Sequence, residues 1–311
     1  MHFRLSRRIE TPGRFPYFVQ FSPFHPNVVA SAAGAHYGLV GNGQIGVHSL
    51  EQPLPVTLYD TNDAAFCLAW SEAHENHLIA GCGDGSIRLF DITVPEFPIA
   101  RWMLHQREVM SLSWNLIRRD TFLSGSWDHT VRLWNPENTV DALRIWPVHQ
   151  GCVYEVAWNP HEPDVFASAS EDAAVHVFDI RSPDSQPMKT LPHPQDVLTL
   201  DWNKYRPQTL VTGCVDRTIR VFDLRQLKSQ VAIFRGHEYA IRRVRCSPHS
   251  ADHIASASYD MSVRLWNMSS GGEDVRWDDH TEFVMGLDWS LFHQGMLATC
   301  AWDQHIDILQ L

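Results

Sequence analysis

Residues 105–134 read HQREVMSLSWNLIRRDTFLSGSWDHTVRLW. The stretch opens on a histidine, alternates through VMSLSW to Trp114, continues through FLSGS, turns at Trp127-Asp128-His129 and leaves on TVRLW. Short runs of strand formers with period-two alternation, punctuated by turn residues, describe three strands and no helix. RIWPV, just before His149, supplies a fourth. The pattern repeats in both directions. Trp70, Trp114, Trp158 and Trp202 lie 44 residues apart, Cys246 takes the fifth place and Trp289 follows 43 later. Asp84, Asp128, Asp172, Asp216, Asp260 and Asp303 keep the same steps, as do Phe90, Trp134, Phe178, Phe222 and Trp266. His105, His149, His193, His237 and His280 form a fourth register. Four antiparallel strands copied at this interval build the blades of a β-propeller.

The repeat resembles that of the WD-repeat family over essentially the whole chain. Six copies lie between Thr61 and Leu311, and an irregular one covers about residues 17–50, with FVQFSP in place of the Trp strand. The expectation is a single all-β domain, 1–311, of seven blades. Blades 2–7 span about residues 60–311. The last copy ends on HIDILQL without an outer strand, so residues 2–10 are expected to pair with it and close the ring, removing exposed sheet edges.

In WD repeats the His, a Ser or Thr, the turn Asp and a strand Trp form a buried hydrogen-bonded tetrad. The resemblance implies such sets at His105, Ser124, Asp128, Trp134 and at His237, Ser256, Asp260, Trp266. A buried carboxylate and imidazole are tolerable only when bonded, and a tetrad bonds them. These His-Ser-Asp sets are therefore read as structural, not as catalytic triads. The second copy has Thr61 and Ala80 at the His and Ser positions and is expected to be the loosest of the regular six.

Composition narrows the function. A formal charge of −11 argues against nucleic acid and against anionic membrane surfaces, and is compatible with a basic ligand. Arg4, Arg7 and Arg8 are not followed by an apolar stretch, so no signal peptide is read, and no apolar run is long enough to span a bilayer. The six cysteines form no CxxC pair, and Cys82, Cys214 and Cys246 read as small buried thiols of a reducing compartment, the cytosol by default. Of the 18 histidines, five belong to the repeat and His74 and His77 make an isolated HxxH, so no metal site and no cofactor are expected. No phosphate loop, nucleophile elbow or paired-carboxylate motif points to an enzyme.

A propeller binds mostly with one face of its ring, here the one around the His-bearing loops. Residues three and five after the His position and the residue before the turn Asp should project there. Those positions hold Trp127, Tyr154, Tyr259, Phe283 and Trp302, the methionines Met110 and Met285, and the acids Glu108, Glu171 and Asp196, with Asp63 alongside. Aromatic residues and methionine at such positions mark an interface. An acidic and apolar face complements an amphipathic helix with basic margins.

Longer stretches are more specific: TPGRFPYFVQFSPF (11–24), AHYGLVGNG (35–43), TNDAAFCLAWSE (61–72), GSWDHTVRLWNP (125–136), HEYAIRRVRCSP (237–248) and HTEFVMGLDWS (280–290). Through them the chain resembles the peroxin-7 family, receptors for the type 2 peroxisomal targeting signal. The resemblance implies a cytosolic import receptor that cycles to the peroxisome. It would bind the N-terminal signal of matrix proteins together with a co-receptor and engage the peroxisomal docking machinery. It also implies Asp63 and Glu108 as partners of basic signal side chains and Trp127, Tyr259 and Trp302 as the floor beneath the apolar ones. Arg242 has the wrong sign for a basic cargo and is given a structural or co-receptor role. Two other readings compete. Phe178-Asp179-Ile180-Arg181 and Phe222-Asp223-Leu224-Arg225 resemble the boxes by which substrate receptors of cullin-type ubiquitin ligases bind their adaptor. A general WD-repeat scaffold is the other.

Overall fold

The computed structural model describes residues 2–226 and 230–311. They form seven four-stranded antiparallel sheets whose innermost strands touch in cyclic order, a seven-bladed propeller. Six blades take consecutive strands. Blade 3, for example, is Val109–Trp114, Phe122–Ser126, Val131–Trp134 and Arg144–Trp146. Blade 1 is Phe15–Phe21, Val28–Gly34, Gly43–Ser49 and Pro55–Thr61, so it runs about ten residues beyond the boundary expected at Leu50. PVTLYDT is its outer strand, and the irregular spacing of this copy hid it. Blade 7 is Val284–Trp289, Met296–Ala301 and His305–Gln310, completed by Arg4–Glu10.

Inner strands are buried on both sides because each sheet is sandwiched between two others. Their alternation is consequently weak, and several are buried at every position. Second strands are made of small residues, as in VFASAS (165–170), which lets neighbouring sheets approach closely. Gly125 shows the limit: a Cβ there would lie 2.8 Å from Val153 Cγ1 of the next blade. Three of the inner-strand tryptophans, Trp70, Trp202 and Trp289, fasten blade to blade. Trp202 Nε1 donates to Ala157 O at 3.1 Å and Trp289 Nε1 to Arg245 O at 3.1 Å, each crossing to the preceding blade.

Each turn aspartate sets a left-handed residue behind it. His129, Ala173, Arg217, Met261 and Gln304 all have φ between 59° and 69°. The Asp carboxylate offsets that strain by accepting the backbone N–H two residues on, as Asp128 does from Thr130. Arg4–Glu10 pairs antiparallel with His305–Gln310, and Arg8 binds Asp307 through two hydrogen bonds of 2.7 Å. The chain ends therefore share one sheet and the ring has no gap. Among the described residues no helix is long and apolar enough to cross a membrane. All six cysteines are free.

Candidate functional site

The repeat histidines lie beneath the face. His105 Nδ1 is 2.7 Å from Asp128 Oδ2, its Nε2 is 2.6 Å from Ser124 Oγ, and Trp134 Nε1 donates to the same hydroxyl at 2.8 Å. His237, Asp260, Ser256 and Trp266 repeat this with 2.8, 2.7 and 2.8 Å. Burial pushes the His105 imidazole down, so it is neutral. Burial also works to raise the Asp128 carboxyl, but hydrogen bonds from His105 and Thr130 outweigh it and hold the group well below the usual carboxylate range. Ser124 is fully buried and already takes an indole donor, so no substrate reaches it. Blade 2, without the His and Ser, holds Asp84 by other means: Ser86 and the guanidinium groups of Arg88 and Arg101, both at 3.0 Å.

Above this layer the structure gathers the aromatic residues from five blades. Trp127, Tyr259, Phe283 and Trp302, all half-buried, pack on a buried plug of Tyr17, Ala64, Phe66, Met110 and Met285 in the mouth of the central channel. Tyr259 and Trp302 flank Phe283 with ring centroids 5.0 and 5.5 Å away. Tyr154 stands edge-on to Trp127 at 6.4 Å. Two donors in the cluster, Trp127 Nε1 and Trp302 Nε1, are buried and have no partner among the described residues.

The positions five residues after the His contribute to the plug and not to the surface. Phe66, Met110, Leu198, Arg242 and Met285 are all buried, because the inner strand has already turned down into the channel there. Tyr154 alone of that set stays half-exposed. Positions three after the His, Ala64 excepted, and one before the Asp form the actual surface.

The acids occupy the other side. Asp63, Glu108, Glu171 and Asp196 belong to blades 2, 3, 4 and 5, whereas Tyr259, Phe283 and Trp302 belong to blades 6 and 7. Asp63 accepts its own neighbour's N–H, Ala64 N, at 2.8 Å, and Gly83 leaves room for it, since a Cβ there would sit 3.0 Å from the carboxyl. Glu171 accepts Cys152 N at 3.0 Å, a bond that lowers its pKa. Glu108 holds Arg107 at 3.4 Å, and the Arg107 guanidinium lies 5.7 Å over the Trp127 ring.

Sequence reasoning missed the contribution of blade 1. Tyr37 packs on Trp302 at 5.4 Å and on Phe15 at 3.9 Å, and its carbonyl accepts the Tyr17 hydroxyl. His36, Tyr37, Gly38, Gly41 and Asn42 all have positive φ, so this loop folds tightly against the mouth and leaves Leu39 and Val40 exposed. The run AHYGLVGNG, with three glycines among apolar residues, carried the signal, but no repeat register extends into it. The Phe-Asp-x-Arg boxes sit elsewhere, at the bottom rim. There Arg181 and Arg225 fold back on their own Asp179 and Asp223 at 2.6 Å.

Known proteins share both the repeat and its ornaments. Residues 54–91 and 98–135 match the WD domain, G-beta repeat, and residues 146–266 match the EIPR1 beta-propeller. The peroxisomal targeting signal 2 receptor of Dictyostelium discoideum is 53% identical over 285 residues, 90% of each chain. The chain belongs to the peroxisomal targeting signal 2 receptor family. Peroxisome biogenesis protein 7 of Arabidopsis thaliana is 50% identical over 94% of each chain. Against the Komagataella phaffii receptor the similarity is confined to 107 residues, 43% identical, which are 33% of this chain and 28% of that protein.

Proposed function

We propose that this chain is the import receptor that binds the type 2 signal of peroxisomal matrix proteins as an amphipathic, basic helix on the His-loop face. Blades 6, 7 and 1 offer aromatic ground and blades 2 to 5 offer carboxylates, so one helix lying across the channel mouth meets each sector with a matching side. The observation that carries this reading is Arg107. A guanidinium already rests between the Glu108 carboxylate and the Trp127 ring, the environment a basic signal residue needs. Arg107 is exposed, so its pair contributes under about 1 kcal/mol and is readily displaced.

A short signal helix is marginal alone in water, so the receptor orders its ligand and loses affinity in doing so. A bound helix also keeps its outer side open, next to the exposed Leu39 and Val40. A co-receptor that covers both would restore affinity. The complex then forms in the cytosol and is carried to the docking machinery of the peroxisome, with the receptor cycling between the two.

Charge exchange tests the assignment. Glu108→Arg is expected to weaken binding of an Arg-bearing signal peptide about 10- to 100-fold, the loss of one desolvated charged hydrogen bond of roughly 1.5–3 kcal/mol. An acidic residue at one basic position of the peptide is expected to restore it. Fluorescence anisotropy with co-receptor present reads both, and failure of every charge-reversed peptide would remove Glu108 from the site.

A further inference from the structure

Blade 4 departs from blades 3 and 6 at three positions around one aspartate. In blades 2, 3, 5 and 6 the residue four after the turn Asp is an arginine. Those guanidinium groups, of Arg88, Arg132, Arg220 and Arg264, lie 2.5 to 3.6 Å from the carboxylate. The residue two after it is Ser86, Thr130, Thr218 or Ser262, whose hydroxyl donates to the same group. Blade 4 has His176 and Ala174 at these places. Asp172 keeps His149 Nδ1 at 2.8 Å and the backbone N–H groups of Gln150 and Ala174, but neither a guanidinium nor a hydroxyl. The third change is Phe178 where blades 3 and 6 have Trp, so the Ser168 hydroxyl receives no indole donor.

His176 lies against His149 with ring centroids 4.6 Å apart, and its Nδ1 is 3.0 Å from Thr190 Oγ1. Ligand atoms of His149, Asp172 and His176 all fall within 4.8 Å of one another, beside an open cavity lined by Gln150, Gln186 and Thr190.

We propose that these three residues form a divalent transition-metal site, suited to Zn2+, in which the ion supplies the positive charge that an arginine supplies in four other blades. Two imidazoles and a carboxylate with one open position suit zinc, and the cavity gives that position to water. Tetrahedral ligand spacing of about 3.3 Å requires the side chains to close by roughly an ångström or more, which a half-exposed His176 can do by rotating. Bound through Nδ1, the ligand imidazole is neutral and carries its single proton on Nε2. His149 Nε2, 2.7 Å from Ser168 Oγ, then donates to a hydroxyl whose lone pairs are free because Phe178 brings no N–H. Such an outer hydrogen bond fixes a metal-bound imidazole.

The test titrates the full chain with zinc chloride by calorimetry and follows the melting temperature. His176→Arg installs the residue other blades use and so preserves the fold; His176→Ala is the second variant. The stacked rim pair His74 and His77, with centroids 3.7 Å apart, is the alternative site, removed in a His74→Ala, His77→Ala double variant. The wild type and the rim variant are expected to take up one equivalent and to melt higher with zinc, while both His176 variants lose that equivalent and the shift. Equal uptake by His176→Arg, loss of uptake in the rim variant, or no uptake by the wild type would each overturn the proposal.

Discussion

A single side chain decides how tightly each blade is tied. In blades 3 and 6 the serine of the tetrad bonds both an imidazole and an indole, whereas Phe178 and Phe222 leave blades 4 and 5 without the indole donor. Blade 4 keeps His149 on Asp172 at 2.8 Å even so, but blade 5 does not keep the equivalent bond. There His193 Nδ1 turns to Leu191 O at 3.0 Å, and Asp216 relies on Thr218 and Arg220. The phenyl ring nevertheless keeps the volume. Trp134→Phe is therefore expected to cost about 1 kcal/mol, one net hydrogen bond, while Trp134→Ala costs about 3–5 kcal/mol by leaving a cavity. Urea unfolding midpoints separate the two. If the phenylalanine variant falls as far as the alanine one, the indole N–H and not the ring is what matters.

At the scale of an element, the closing strand is the part of the ring that sequence order cannot hold in place. Residues Arg4–Glu10 reach the last sheet only from the far end of the chain, and the contact that fixes their register is Arg8 on Asp307. Asp307 is fully buried, with His280 Nε2 3.8 Å away as a further polar neighbour. Removing the guanidinium strands that carboxylate. Arg8→Ala is expected to cost about 2–3 kcal/mol, set below the usual figure for a buried pair because Arg8 itself is one-third exposed. Adding Asp307→Asn should recover part of the loss. Additive losses in the double variant would show that the pair is not coupled.

For the whole molecule, charge and ring geometry act together. A net charge of −11 with four face carboxylates on consecutive blades makes one side of the channel mouth negative, the side to which the proposed function brings a basic helix. Association of a basic signal peptide is expected to slow about tenfold as salt rises from about 0.05 to 0.5 M, with dissociation changing less. Stopped-flow fluorescence measures this. An on-rate indifferent to salt would mean that the acids hold no directing role. The aromatic side lies where the blade 1 loop brings Tyr37 onto Trp302.

The seven blades, the tetrads and most of the candidate face are legible in the chain because a repeat converts sequence position into place. A residue one before the turn Asp occupies the same spot in every copy, so Trp127, Tyr259 and Trp302 can be set on one face without coordinates. Where the register lapses, reading stops. The outer strand Pro55–Thr61 and the loop carrying Tyr37 lie in the irregular copy, and only the folded ring shows that they complete blade 1 and border the site. The depth of a side chain is likewise invisible to spacing. Phe66, Met110 and Arg242 share a position with half-exposed Tyr154, yet they are buried, because exposure depends on what neighbouring blades place opposite. The sequence alone settled which residues are equivalent, since backbone hydrogen bonding repeats with the chain. Which of those equivalents reach a ligand was decided by packing between blades, a property no single repeat contains.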